Sequence, residues 1–339
     1  MAQEMSVRDA YGNTLVELGR ENENIVVLDA DLSRSTMTHL FAKEFPDRFF
    51  DCGIAEQNMM GIAAGLAASG KTVFASTFAI FATARCYDQI RVSIAQSHQN
   101  VKIVATHSGI TVGEDGFSHH AIEDLALMCS FPGFTVIVPA DAVETSQAVR
   151  AAAATHGPFY IRLTRPKMPL VCRDNYRFVL GKAVTMRGGG DASVIAIGIM
   201  VDRALQAADT LAREGIELRV INMSTLKPID EQAIVKAAEE TGAILTAEEH
   251  LQHGGLGSMV AQVVAKHHPV PMSFLTIKDI YSSSGKAGEL LEKHGLTATG
   301  MVEDVRSLVS TKPYDLTWPL PIMTHLYVVS SLSPMGPRA

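Results

Sequence analysis

The chain has few cysteines, no basic run and no long apolar run, and each scarcity removes a class of function. Its four cysteines, Cys52, Cys86, Cys129 and Cys172, stand far apart in mostly apolar segments. That placement suits small buried side chains and suits neither a disulfide framework nor a zinc site. With a formal net charge of −7 and no cluster of lysine and arginine, the chain lacks the cationic surface that nucleic acid requires. No apolar stretch reaches the length of a bilayer span. Met1-Ala2-Gln3-Glu4 has neither the basic nor the apolar region of a secretory signal, so the expected compartment is cytoplasmic.

What is present reads as a globular α/β protein: 339 residues, 47% hydrophobic and 19% charged, with 26 glycines. That length accommodates two domains, each with its own core. Ser6 is placed to cap a helix in which Val7, Ala10, Tyr11, Leu15 and Leu18 share a face. Short apolar runs follow at 25–28, 73–75, 101–105, 135–138 and 159–163, with helical stretches between them, notably 79–95 and 143–154. All-apolar strands alternating with helices indicate a mostly parallel sheet with helices on both faces. Two prolines and no clear period mark 165–178 as linker. The pattern then restarts, with strands at 193–197, 218–221, 243–246 and 273–277 alternating with helices at 201–213, 230–239 and 257–266. The expected division is a first domain over 1–165, a linker over 166–180, a second domain over 181–310 and a tail extension over 311–339.

One carboxylate stands out. After Asp51 the segment Cys-Gly-Ile-Ala-Glu-Gln-Asn-Met-Met-Gly-Ile-Ala-Ala-Gly carries a single charge, Glu56. It follows Phe49-Phe50 and opens a helix whose Gly61, Ala64, Gly65 and Ala68 face allows close approach of another backbone. The helix dipole stabilises an acid at that position, whereas apolar surroundings raise its pKa and let it share a proton. The segment alone also fits a solvated capping residue. Phe78 and Phe81 follow the 73–75 strand at its carboxyl end, where α/β sheets bind ligands. Placed at a helix start, the two rings would line one pocket, although such a pair is also ordinary core.

Gly53-Ile54-Ala55-Glu56-Gln57-Asn58 resembles the pyrimidine-binding domain of the transketolase family. The likeness extends through Asp29-Ala30-Asp31-Leu32-Ser33, Ser76-Thr77-Phe78, Tyr87-Asp88-Gln89-Ile90-Arg91 and Gly113-Glu114-Asp115-Gly116, then into the second half. Several motifs in order are more specific than one. The resemblance implies an α/β pyrimidine-binding domain followed by a transketolase C-terminal domain, with thiamine diphosphate as cofactor. It implies that Glu56 hydrogen-bonds or protonates the aminopyrimidine, that Phe78 and Phe81 form its slot, and that Asp31 lies near the thiazolium. Arg8, Ser35 and Arg165 match positions that hold the phosphate of a sugar phosphate, a dianion suited to guanidinium partners. His107 and His119 match the substrate entrance, where imidazoles of either protonation state hydrogen-bond sugar hydroxyls or move protons. The resemblance leaves His120 as a competitor of His119 for that place and implies Asp115 as an acceptor for a sugar hydroxyl. Where some transketolases carry a further aromatic, this chain has Ala84.

The family also needs a diphosphate-binding domain, in which Gly-Asp-Gly and a later Asn hold Mg²⁺ (or Ca²⁺) against the diphosphate. Neither Gly113-Glu114-Asp115-Gly116 nor Gly189-Gly190-Asp191 matches that motif. The chain is therefore expected to be the C-terminal subunit of a split transketolase. Its N-terminal partner would carry that domain and the metal, in a heterotetramer that is a dimer of heterodimers. The expected reaction moves a two-carbon ketol unit from a ketose phosphate to an aldose, in pentose phosphate metabolism. No metal is expected in the chain itself, since Glu248, Glu249, His250 and His253 have metal-like spacing but no further ligand. Other readings are a beta subunit of a 2-oxoacid dehydrogenase or of a deoxyxylulose-phosphate-synthase type enzyme, and a non-catalytic scaffold. Arg8, Ser35, Arg165 and the two histidines weigh against the former. Glu56 beside an aromatic slot weighs against the latter.

Overall fold

The computed structural model describes residues 4–173 and 175–311. Its strands are β1 (Glu4–Met5), β2 (Ile25–Asp29), β3 (Phe49–Asp51), β4 (Thr72–Phe78), β5 (Val101–Thr106), β6 (Thr135–Ile137), β7 (Phe159–Arg162) and β8 (Met168–Pro169). They continue with β9 (Val184–Arg187), β10 (Ala192–Ala196), β11 (Leu218–Asn222), β12 (Thr225–Lys227), β13 (Ile244–Leu251) and β14 (Met272–Ile277). One sheet has the order β12-β6-β7-β5-β4-β2-β3 and the other β14-β13-β10-β11-β9. Each is parallel except at one edge, where β12 and β9 run antiparallel to β6 and β11. Strands β2, β5, β7 and β10 are buried along their whole length, as expected for strands covered on both faces.

Local chemistry fixes the covering helices. The helix Val7–Glu21 begins where the Ser6 hydroxyl accepts from the Asp9 amide, 3.1 Å away, and it buries Tyr11, Leu15 and Leu18. The Tyr11 hydroxyl reaches Ser76 of β4 at 2.7 Å, which ties this helix to a central strand. Asp141 and Asp230 cap the helices Ala142–Ala154 and Glu231–Thr241 in the same way.

Several expectations are corrected. β4 runs on to Phe78, paired with Thr106 of β5, so Phe78 ends a strand and does not start a helix. The 79–95 stretch is not one α-helix: π-helical turns at Phe81–Arg85 and Ile90–Ala95 flank Tyr87–Gln89. The 166–180 segment contains β8, which pairs with β1. β12 crosses from the second half of the chain to extend the first sheet. Gly61 and Gly65 face open space, and a Cβ at either would meet nothing within 4 Å. The close backbone approach expected there is therefore not made within this chain. All four cysteines are free thiols, but only Cys86 and Cys172 are buried. The tail extension expected over 311–339 lies, from 312 on, outside the described residues. Among the described residues no helix is long and apolar enough to cross a membrane.

A buried polar network joins the two sheets. Arg162, at the end of β7, donates to Asp124 at 2.8 Å and to the carbonyls of Ala121 and Glu249 at 3.0 Å. The Tyr160 hydroxyl donates to the same carboxylate oxygen of Asp124 at 2.6 Å. From β13, the Glu249 carboxyl accepts from the Thr111 amide at 2.6 Å and hydroxyl at 3.2 Å. Burial pushes the Glu249 carboxyl up to about 7. Gly109 lies against that carboxyl with φ +72°, and a Cβ there would stand 2.2 Å from it. Only glycine fits.

Removing one partner from such a buried pair strands the other charge, which costs about 3–5 kcal/mol. Arg162→Met should therefore lower the urea midpoint substantially. Arg150→Ala, which breaks exposed pairs with Glu17 and Glu21, should cost under about 1 kcal/mol. Equal shifts for the two variants would contradict the role given to Arg162.

Candidate functional site

The expected site residues converge because parallel strands end on one side of a sheet. Asp31 follows β2, Phe78 closes β4, His107 follows β5 and Arg165 follows β7. Glu56 begins the helix Glu56–Ala68 just after β3. All five stand at the carboxyl edge, the ligand-binding edge of open α/β sheets.

An aromatic group forms the centre. The Phe78 ring stacks on His107 at 3.8 Å between centroids and on Phe81 at 6.0 Å, with interplanar angles of 25° and 16°. His119 meets both phenylalanines edge-on, at 6.5 and 5.3 Å. His120 is turned away and buried, with its Nε2 3.2 Å from the Gly113 carbonyl. Between the two neighbours, geometry places His119 at the rings. The π-helical turn after β4 brings Phe81 beside Phe78, and such turns recur at functional sites.

Glu56 is 2% exposed, yet its surroundings are not wholly apolar, which corrects the expectation. Arg85 donates to its Oε2 at 2.7 Å. The same guanidinium lies 4.6 Å from the centroid of Phe81. Sequence reading missed Arg85. The available signal was that it is the lone charge between Phe78 and Asp88, next to the alanine where a third aromatic was absent.

The cationic end is built from Arg8 and Arg165. Arg8 donates to the Ser35 carbonyl at 2.7 Å and to the Arg165 carbonyl at 3.0 Å. Ser35 thus contributes its backbone here. Arg165 donates to the Val112 carbonyl and lies 3.7 Å from Glu114 and 3.6 Å from Asp115. Asp115 is therefore paired with a cation. Burial lowers the pKa of Arg8, and the charge of Arg165 adds to the effect. Burial first, then Arg8, Arg165 and His119, pushes His107 down to about 3. Its imidazole is neutral at pH 7, so the expectation that both protonation states are accessible there is corrected for this residue. The Thr106 hydroxyl holds its Nδ1 at 2.9 Å.

Asp31 is exposed, in a bend with φ +60°. Its amide donates to Asp51 at 3.0 Å. Beneath it, buried Asp29 accepts from the Thr36 and Thr38 hydroxyls, and burial pushes its carboxyl up to about 6. In the second sheet, Glu248 accepts from the Leu256 and Gly257 amides at 2.8 Å, and His250 Nδ1 lies 2.8 Å from the Leu251 carbonyl. Both are occupied with backbone. Among the described residues no group of three His, Cys, Asp or Glu is placed to hold a metal ion. A buried carboxyl with one displaceable partner, beside stacked phenyl rings, fits an aminopyrimidine: one end needs a hydrogen-bonding acid and the face needs an apolar wall.

Comparison with known proteins agrees with this geometry. Residues 3–170 match the model described as transketolase, pyrimidine binding domain. Residues 181–301 match transketolase, C-terminal domain. The chain is 40% identical to a 6-deoxy-6-sulfo-D-fructose transketolase subunit of Clostridium sp. (strain MSTE9), over 92% of this chain and 97% of that protein. It is 40% identical to one of the subunits of the apulose-4-phosphate transketolase of Phocaeicola vulgatus, over 91% of this chain and 99% of that protein. A solved structure described as a split gene transketolase, inactive beta4 tetramer, superposes with a TM-score of 0.85 at 49% identity, over 92% of this chain and all of that one.

The environment of His107 has a measurable consequence. With its pKa depressed from 6.5 to about 3, the folded ring stays neutral while the unfolded chain takes up a proton below about pH 6.5. Its contribution to stability is thus present above that pH and is lost as the pH falls. Ring ¹³C–¹H resonances of His107 should stay flat from pH 8 to about pH 5, and a midpoint near 6.5 would contradict the placement.

Proposed function

Because this chain belongs to the transketolase family, we propose that it is the pyrimidine-binding subunit of a heteromeric transketolase. It transfers a two-carbon ketol unit from a ketose phosphate to an aldose acceptor with thiamine diphosphate. One observation carries the reading: a buried carboxyl, Glu56, set beside the Phe78–Phe81 stack at the carboxyl edge of the sheet. A scaffold has no need of that arrangement. Two relatives covered almost end to end by this chain are named as transketolase subunits. The split-gene relative is inactive as a β4 tetramer. Both support a requirement for a partner that supplies the diphosphate site and its Mg²⁺ (or Ca²⁺), in a dimer of heterodimers. Cytoplasmic location and pentose phosphate substrates belong to the same proposal.

Thiamine diphosphate supplies the acidic carbon that accepts and releases the ketol unit. The chain's own residues do the rest. Glu56 holds or shares a proton at the pyrimidine ring nitrogen, and Phe78 and Phe81 wall the ring and exclude water. Neutral His107 hydrogen-bonds a sugar hydroxyl, and His119, edge-on to the rings, does so from the entrance. Asp31 places negative charge on the thiazolium side. Arg8 and Arg165 form the anion-binding end of the substrate site, with the Ser35 carbonyl holding Arg8 in place and Asp115 on the loop beside it. The sulfonated sugar of the Clostridium relative fits the same chemistry, since guanidinium groups hold a sulfonate as they hold a phosphate.

The test is Glu56→Gln in the complex reconstituted with the partner subunit. The amide preserves size but not the shared proton, so ketol transfer should fall by at least about a hundredfold while the subunit still folds and assembles. Near-normal turnover would overturn the assignment.

A further inference from the structure

Arg85 is the charged residue at the centre of the site that the reaction does not use, and its two contacts are unusual in combination. Its guanidinium donates to the Glu56 carboxylate at 2.7 Å and lies over the Phe81 ring at 4.6 Å from the centroid. A planar, delocalised group hydrogen-bonded to Glu56 and facing Phe81 makes both contacts that an aminopyrimidine would need there. Arg85 and the cofactor ring cannot both make them. The side chain of Arg85 is 46% exposed and that of Glu56 only 3%, so the arginine has solvent to move into and the glutamate has not. The backbone at Arg85 is held separately, by the Gln57 amide donating to its carbonyl at 3.0 Å, and it ends the π-helical turn Phe81–Arg85. The side chain can therefore swing without unravelling the turn.

We propose that Arg85 is a built-in stopper of the pyrimidine slot, mimicking the cofactor's ring against Glu56 and Phe81 and leaving when that ring enters. The proposal rests on the reading of Glu56 and Phe81 as the pyrimidine site. In the closed arrangement Glu56 is an ion-paired carboxylate, and a carboxyl that shares a proton with a ring nitrogen must first lose that cation. Closure thus keeps a desolvated acid from standing unpaired. Its cost is that cofactor affinity is reduced by the fraction of molecules in which the slot is open.

The experiment compares thiamine diphosphate binding, by calorimetry in the presence of Mg²⁺, to complexes reconstituted from the partner subunit and either wild-type chain, Arg85→Ala or Arg85→Lys. A half-exposed ion pair and one cation–π contact together correspond to roughly three- to thirtyfold in binding. Arg85→Ala should therefore bind that much more tightly, and Arg85→Lys, which keeps charge without the planar face, should fall between it and wild type. Arg85→Gln serves as the neutral variant if Arg85→Ala fails to assemble. Unchanged or weaker binding by the neutral variant overturns the stopper, because a merely structural arginine would not oppose the ligand. Failure of the wild-type complex to bind thiamine diphosphate at all would instead remove the pyrimidine site, and the stopper with it.

Discussion

Parallel strands joined by helical crossovers all finish at the same edge of their sheet, and that constraint gathers this site. β2, β4, β5 and β7 deliver Asp31, Phe78, His107 and Arg165 to one rim although the four residues are spread over most of the first domain. The second sheet supports the rim from behind. Glu249 on β13 fixes Thr111, and the turn after Thr111 presents the Val112 carbonyl to Arg165 and leads into the loop carrying Glu114 and Asp115. The geometry of the cationic end therefore depends on packing between the two sheets.

The electrostatics at the rim share one theme: the three arginines Arg8, Arg85 and Arg165 each have an internal partner. Arg85 is held by Glu56, Arg165 by a carbonyl and two carboxylates, and Arg8 by two carbonyls. A carbonyl partner leaves the positive charge available to an incoming anion, whereas a carboxylate cancels it. Arg8 is thus the more available charge at the cationic end, since Arg165 faces two carboxylates. His107, neutral beside these cations, cannot compete with them for an anion and is suited to hydroxyl groups.

Much of this was legible in the sequence, for identifiable reasons. The Ser6 cap, the all-apolar strands and the lone carboxylate at Glu56 are local signals, and local signals read directly. Phe78 and Phe81 were legible as a pair, but not the strand end and π-helical turn that bring them together. That conformation comes from β4 pairing with β5 as far as Thr106, which no local window contains. β12 escaped notice because three residues are too few to show alternation and their partner lies in the other half of the chain. Arg85 escaped because a single arginine in an apolar segment has many ordinary explanations. Only the positions of Glu56 and Phe81 around it give it meaning.

In the proposed function Glu56 and Phe81 receive the pyrimidine ring of thiamine diphosphate. A structure of the assembled complex with cofactor and metal tests it most directly. The expected result is a Glu56 oxygen about 2.6–3.2 Å from a ring nitrogen and the pyrimidine facing Phe81, with the guanidinium of Arg85 withdrawn. A pyrimidine seated elsewhere, with the Glu56–Arg85 pair intact, would contradict it.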